Sequence, residues 1–111
     1  LTFREMPWGE LYIQPFTGRV LQRAAFSFGT RLEAFRTACT AMGGLPLQAG
    51  DAGFEFTLLG NYRLRMLLWA GDDEFPPSAQ LLYSANFVDG FAAEDRVVAG
   101  DLLCNEIKAN L

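Results

Sequence analysis

Residues Leu67 to Tyr83 have the sequence LLWAGDDEFPPSAQLLY, and the predicted fold is built around them. Its apolar beginning and its apolar end each predict a strand, and the acids, phenylalanine and prolines between them predict a fixed turn. We call this turn, Asp72–Ser78, the corner. Acidic, aromatic and rigid residues converge nowhere else in the chain, so the rest of the sequence is interpreted outward from it.

A β-hairpin is predicted directly before the corner. Apolar and polar residues alternate over residues 54–58 and again over residues 63–68, on either side of Gly60-Asn61. A two-residue loop would turn Arg63 and Arg65 toward the apolar face, whereas a one-residue shift turns them away. We therefore predict a three-residue loop, or a tight turn with a bulge. The predicted pairs are Leu58–Leu64, Phe56–Met66 and Phe54–Leu68.

Two helices are predicted before this hairpin. Residues 17–28 and 30–42 carry apolar side chains at spacings of three and four, which is the period of a helix with one buried face. Gly29 predicts the end of the first helix. Thr30 and Glu33 predict a capping box at the start of the second.

The remaining segments complete the pattern. Residues 8–16 predict an irregular approach, because Pro7 and Gly9 interrupt any helix there. A third strand is predicted over residues 79–84, and a last helix from about Ala92.

The order helix, helix, strand, strand, strand, helix indicates an α+β domain. We expect an αα-hairpin, then a three-stranded antiparallel meander, then a C-terminal helix packed on the sheet, all within one domain of residues 1–111. Because the chain opens at Leu1 without a methionine, we expect a fragment of a longer domain. A free sheet edge or exposed apolar surface would also favour a homodimer.

Composition narrows the chemistry. The 111 residues include no histidine, which excludes Ser-His-Asp and Cys-His catalysis within this chain and removes the commonest zinc ligand. A net charge of −4 with scattered arginines argues against nucleic acid as a partner, and no apolar run approaches the ~20 residues that cross a membrane. Cys39 and Cys104 occupy apolar helical stripes, so we expect reduced, buried thiols in a cytoplasmic protein.

A family resemblance is carried by the motif Trp69-x-Gly71-Asp72-x-Glu74-Phe75-Pro76-x-Ser78-Ala79. It resembles the corner of an uncharacterised prokaryotic family, found mainly in anaerobes and classed only as a domain of unknown function. Glu94-Asp95 is similar to the acidic pair that opens the family's last helix. Phe3-Arg4-Glu5 resembles a segment that lies mid-chain in the family, which implies that this chain is the later part of that domain. The resemblance implies no activity, catalytic residue or cofactor.

The acids of the corner admit three interpretations. Asp72, Asp73 and Glu74 could form a solvated loop tip, or they could hold Mg²⁺ or Ca²⁺ through carboxylate oxygens. Calcium loops, however, space their acids over a longer stretch. In the third interpretation one acid turns inward, to cap a backbone turn or to anchor Arg63 or Arg65 of the preceding strand.

The aromatic residues of the stretch admit two interpretations. Trp69, Phe75 and Tyr83 either pack in the core or line a pocket beside the corner. Glu74 would have a raised pKa if Phe75 desolvated it, although no nucleophile stands beside it.

We predict a non-catalytic domain that binds a small molecule or a protein partner through the corner. An apolar wall with an acidic rim favours a cationic ligand or a basic segment. The alternative is a divalent-metal-dependent hydrolase that uses Asp72, Asp73 and Glu74. No catalytic residue, metal ligand or cofactor is assigned. The candidate binding residues are Trp69, Asp72, Glu74, Phe75, Pro76, Ser78 and Tyr83.

Overall fold

The computed structural model describes all 111 residues. It confirms an α+β domain with a C-terminal helix, but the antiparallel sheet has four strands, in the order β1-β2-β3-β4, and not three. The extra edge strand is only two residues long, too short to show an alternating pattern in the sequence. None of the helices combines the length and apolarity needed to cross a bilayer. The elements are a 3₁₀ turn (Phe3–Glu5), α1 (Gly9–Phe16), a π-helical segment (Thr17–Gln22), α2 (Arg23–Phe28), α3 (Leu32–Ala41), β1 (Leu45–Pro46), β2 (Ala52–Leu58), β3 (Tyr62–Trp69), β4 (Ser78–Tyr83), α4 (Phe87–Gly90) and α5 (Ala93–Ala109).

The first helix begins well before the predicted residue 17. The irregular approach expected over residues 8–16 is wrong, because Pro7 precedes the helix and Gly9 opens it. A side chain at Gly9 would lie 2.9 Å from the carbonyl oxygen of Arg4, so glycine lets the 3₁₀ turn pass close to the helix. The buried row on this helix repeats every fourth residue across α1, the π-helical segment and α2: Phe16, Val20, Ala24 and Phe28.

The second helix, α3, has the predicted buried stripe, with Phe35, Ala38 and Cys39 fully enclosed. Its capping box is absent. The helix starts at Leu32, its N-cap residue Arg31 provides no side-chain cap, and Glu33 pairs with Arg36 one turn later. The first backbone N–H groups of α3 are therefore not capped by a side chain.

The hairpin confirms the three-residue loop and corrects the pairing. Leu58 lies opposite Tyr62, two residues along β3 from the predicted Leu64, and the loop is residues 59–61. The apolar face is nevertheless the predicted one, because a shift of two residues leaves every side chain on the same side of the sheet. The observed pairs include Phe54–Met66, Phe56–Leu64 and Ala52–Leu68, in place of Phe54–Leu68, Phe56–Met66 and Leu58–Leu64.

Both edges of the sheet are poorly suited to pairing with another chain. At the β4 edge, Thr2 bridges Leu82 and the N–H of Tyr83 donates to the carbonyl of Leu1, 2.7 Å away. At the β1 edge the strand ends at Pro46, which has no N–H to donate. Residues 1 and 2 thus cover the Leu82–Tyr83 end of β4, and the β1 edge offers a strand of only two residues.

The last helix covers the core and contains a residue that sequence analysis missed. Arg96 lies on its buried stripe and is only 2% exposed. Its Nη1 donates to the carbonyl of Pro7 at 2.7 Å, while its Nε–H has no partner. The hydroxyl of Tyr83 in turn donates to the backbone carbonyl of Arg96 at 2.7 Å. Arg96 thus joins the N-terminal segment to α5 without a carboxylate counter-ion.

Candidate functional site

The corner is closed by its own first residue. One carboxylate oxygen of Asp72, Oδ1, accepts from the N–H groups of Glu74 and Phe75, both at 2.8 Å. The N–H of Asp72 also donates to the carbonyl of Phe75 at 2.8 Å. The Phe75 N–H, and after it the Glu74 N–H, holds the pKa of the Asp72 carboxyl below its usual range. Among the three interpretations, Asp72 fits the one in which an acid caps a backbone turn.

The base of the corner is held by a second carboxylate, which sequence analysis missed. Asp51 Oδ2 accepts from the N–H of Ala70 at 2.7 Å, and the N–H of Asp51 donates to the carbonyl of Leu68 at 2.8 Å. Arg36 Nη2 in turn donates to the carbonyl of Asp51 at 2.7 Å. Nothing in the sequence near Asp51 signals this role, because the group that it caps lies 19 residues away.

Pro77 packs the corner against the helical layer. A side chain at Gly29 would collide with the Pro77 ring, and one at Gly71 would lie 2.7 Å from Pro77 Cδ. Gly29 has φ −65°, so it is not the left-handed C′ glycine predicted for the helix end. It is glycine because the corner approaches it closely.

A groove of about 650 Å³ lies between the corner and the start of α3. One wall is formed by Asp72, Phe75 and the two prolines, and the other by residues 29–34. Both signs of charge line it, since Arg31, Glu33 and Asp72 are all among its lining residues. The expected apolar wall with an acidic rim describes only the corner side of this groove.

The corner brings four of the predicted residues together. Asp72, Phe75 and Pro76 line the groove, and Glu74 stands at the exposed tip. Phe75 is 67% exposed, so it belongs neither to the core nor to an enclosed pocket. Glu74 is itself exposed, so the Phe75 ring does not shield its carboxylate from water. The shielding from water expected for a general acid or base is therefore absent at Glu74.

The other three predicted residues do not line the groove. Trp69 and Ser78 form the last pair between β3 and β4, at the base of the corner. Trp69 is 38% exposed and lies against the Gly50 turn, outside the groove. Tyr83 is 2% exposed and packs against Phe16 and Phe87 in the core. It is at the far end of β4, about 16 Å along the strand from Ser78.

The carboxylates of the corner do not assemble a metal centre. No group of three or more His, Cys, Asp or Glu side chains anywhere in the chain is placed to hold an ion. Arg65 pairs with Glu55 on the neighbouring strand at 2.9 Å and does not anchor an acid of the corner. The hydrolase alternative therefore gains no support from the geometry.

A family model identifies the protein family of this chain. The model of the family described as "Domain of unknown function (DUF3786)" matches residues 1–106. The chain belongs to this family. Neither the curated proteins nor the solved structures include a match to it. Membership in DUF3786 confirms the resemblance to an uncharacterised family, and because that family has no described activity, the function must be inferred from the geometry of the corner.

Proposed function

We propose that this DUF3786 domain is a non-catalytic binding domain, and that the corner recognises a partner segment carrying positive charge beside an apolar side chain. The proposal is based on Phe75, whose side chain is exposed while its backbone is held by hydrogen bonds. Its ring is 67% exposed, whereas its N–H and its carbonyl are both bonded to Asp72. An exposed aromatic side chain on a preformed backbone suits binding, because little loop entropy is lost when a partner covers the ring.

The exposed acids of the corner support a positively charged partner. Asp73 and Glu74 are exposed at the tip of the corner, and neither takes part in an ion pair. The chain as a whole carries a net charge of −4. A basic partner would therefore be attracted to the corner, and its association should slow and weaken as salt is added.

The experiment is a selection of peptides from a random display library on the immobilised domain. We expect the selected peptides to be rich in Lys or Arg beside an aliphatic or aromatic residue. The Asp73→Asn, Glu74→Gln variant should then weaken binding by roughly 5- to 30-fold if the two charges together contribute about 1–2 kcal/mol. Asp72 stays unchanged, because its carboxylate closes the loop.

The matched control is Asp89→Asn, Glu106→Gln, which removes the same charge from exposed positions outside the corner. This control should retain wild-type affinity. Equal weakening in both variants would show that only net charge matters, and selection of acidic or purely apolar peptides would refute a basic partner.

A further inference from the structure

A second surface cavity, of about 320 Å³, lies where the start of α1 meets the start of α5. It shares no lining residue with the groove beside the corner. We propose that this cavity binds an organic ammonium group, with Trp8 and Tyr12 as aromatic walls and Glu94 as the counter-ion. The lining residues are Trp8, Leu11, Tyr12, Ala92, Ala93 and Glu94.

The aromatic residues supply the attraction for a cation. Trp8 is 72% exposed, and the neighbouring Leu11 is 68% exposed. Tryptophan and tyrosine faces attract ammonium groups through their ring quadrupoles, most strongly for tryptophan. Apolar side chains at the rim accommodate the alkyl groups of such a ligand, so an alkylated ammonium fits better than a metal ion.

Glu94 supplies the opposite charge and is held in place. The hydroxyl of Tyr12 donates to Glu94 Oε1 at 2.9 Å, which joins the two walls of the cavity. This hydrogen bond raises the pKa of Tyr12, so the phenol stays neutral and keeps donating. Glu94 takes part in no ion pair, which leaves its second oxygen available to a ligand.

Two positively charged groups near the cavity would repel a cation, so binding depends on the carboxylate of Glu94. The N-terminus of α5 carries partial positive charge, which Glu94 and Asp95 in the first turn offset. The buried Arg96, two residues after Glu94, is positively charged and its guanidinium donates to the carbonyls of Pro7 and Val88. Glu94 is the one acid that lines the cavity, so it supplies the negative charge that offsets these two groups.

The backbone presents Trp8 in a fixed and unusual way. Its φ is 65°, a left-handed conformation that is an outlier for a bulky side chain. Adjacent hydrogen bonds hold it there: the N–H of Gly9 donates to Met6 at 2.9 Å, and Arg96 holds the carbonyl of Pro7 at 2.7 Å. Strained residues that the surroundings fix in this way are concentrated at binding sites.

The experiment titrates the domain with choline and, separately, with 3,3-dimethyl-1-butanol, which has the same shape without the charge. The indole N–H signal of Trp8 is followed by NMR in a Trp69→Phe background, which leaves one tryptophan. We expect choline to shift this signal with a millimolar dissociation constant and the alcohol to bind about 5- to 30-fold more weakly. Equal binding of the two probes, or no shift below about 50 mM choline, would overturn the proposal.

Variants separate the parts of the cavity. Glu94→Gln should reduce choline affinity by about 5-fold or more. Trp8→Leu should do the same and Trp8→Phe should retain part of the affinity; both are followed by the backbone N–H signal of Gly9, because these two variants lack the Trp8 indole. The control is Phe26→Leu, which changes an equally exposed aromatic residue on α2 and should leave the affinity unchanged. Undiminished binding by the Glu94→Gln variant would refute the role of the carboxylate.

Discussion

Replacing Gly29 by alanine tests whether the corner is packed against the helical layer. The new Cβ would lie 2.5 Å from the carbonyl oxygen of Ala25 and closer still to Cβ of Pro77. Ordinary contacts between such atoms begin near 3.5 Å, so about 1 Å of clearance must be found. Neither neighbour is the end of a flexible side chain, since one is backbone and the other belongs to a proline ring.

The expected cost follows from this overlap. Overpacking of this kind destabilises by about 1–3 kcal/mol. The backbone of Gly29, at φ −65°, is one that alanine adopts freely, so the loss would come from the collision alone. Urea unfolding at equilibrium measures it, as a lower midpoint with an unchanged slope.

The matched control is Gly18→Ala, because nothing lies within 4 Å of the side chain that it would add. In a helical segment this change should stabilise by about 0.5–1 kcal/mol, since alanine loses less backbone entropy on folding than glycine. The two variants should therefore move the midpoint in opposite directions. A Gly29→Ala protein as stable as the wild type would show that Pro77 does not pack against the helix end.

Three further predictions follow from single residues. Leu59→Asn should stabilise the fold by about 0.5–1 kcal/mol in urea unfolding, because Leu59 has φ 52° and is 75% exposed, and asparagine adopts a left-handed conformation at lower cost. A lower unfolding midpoint would contradict this. Cys39 and Cys104 should react slowly with a thiol reagent until denaturant is added, because burial raises their pKa to about 12 and about 11 respectively; rapid labelling of the native protein would refute it. The corner should loosen as pH falls through the lowered pKa of Asp72, because the N–H groups of Glu74 and Phe75 bond to its charged carboxylate, and this stabilisation is complete only above the ordinary carboxyl pKa. Amide NMR shifts of Glu74 and Phe75 that do not change with acid would contradict this.

The sequence predicted those features that depend on near neighbours. The period of two over β2 and β3 identified the buried face of the hairpin, because strand geometry fixes which side chains share a side. It could not select between registers that differ by two residues, since both bury the same face. The choice rests on Tyr62, whose ring packs edge-on against Phe87 at 5.1 Å and Phe91 at 4.9 Å from a distant part of the chain.

In the candidate site, too, the sequence predicted the local features and missed the contacts between distant segments. The turn at Asp72 was foreseeable, because aspartate commonly accepts from N–H groups two and three residues ahead. Tyr83 was placed at the corner by its nearness in sequence, although an extended strand carries it away. The second wall of the groove, residues 29–34, and the anchor at Asp51 come from segments that only the folded chain brings to the corner.

We propose above that Phe75, on its preformed loop, anchors the binding surface. The most direct test compares Phe75→Ala with Phe26→Ala, since the two rings are 67% and 71% exposed and lie in different parts of the fold. Affinity for the selected basic peptide is measured by calorimetry at low and high salt. We predict that Phe75→Ala weakens binding by at least about tenfold, as removal of a central aromatic anchor does, while Phe26→Ala has no effect. Equal affinities for the Phe75→Ala variant and the wild type would refute this role for Phe75.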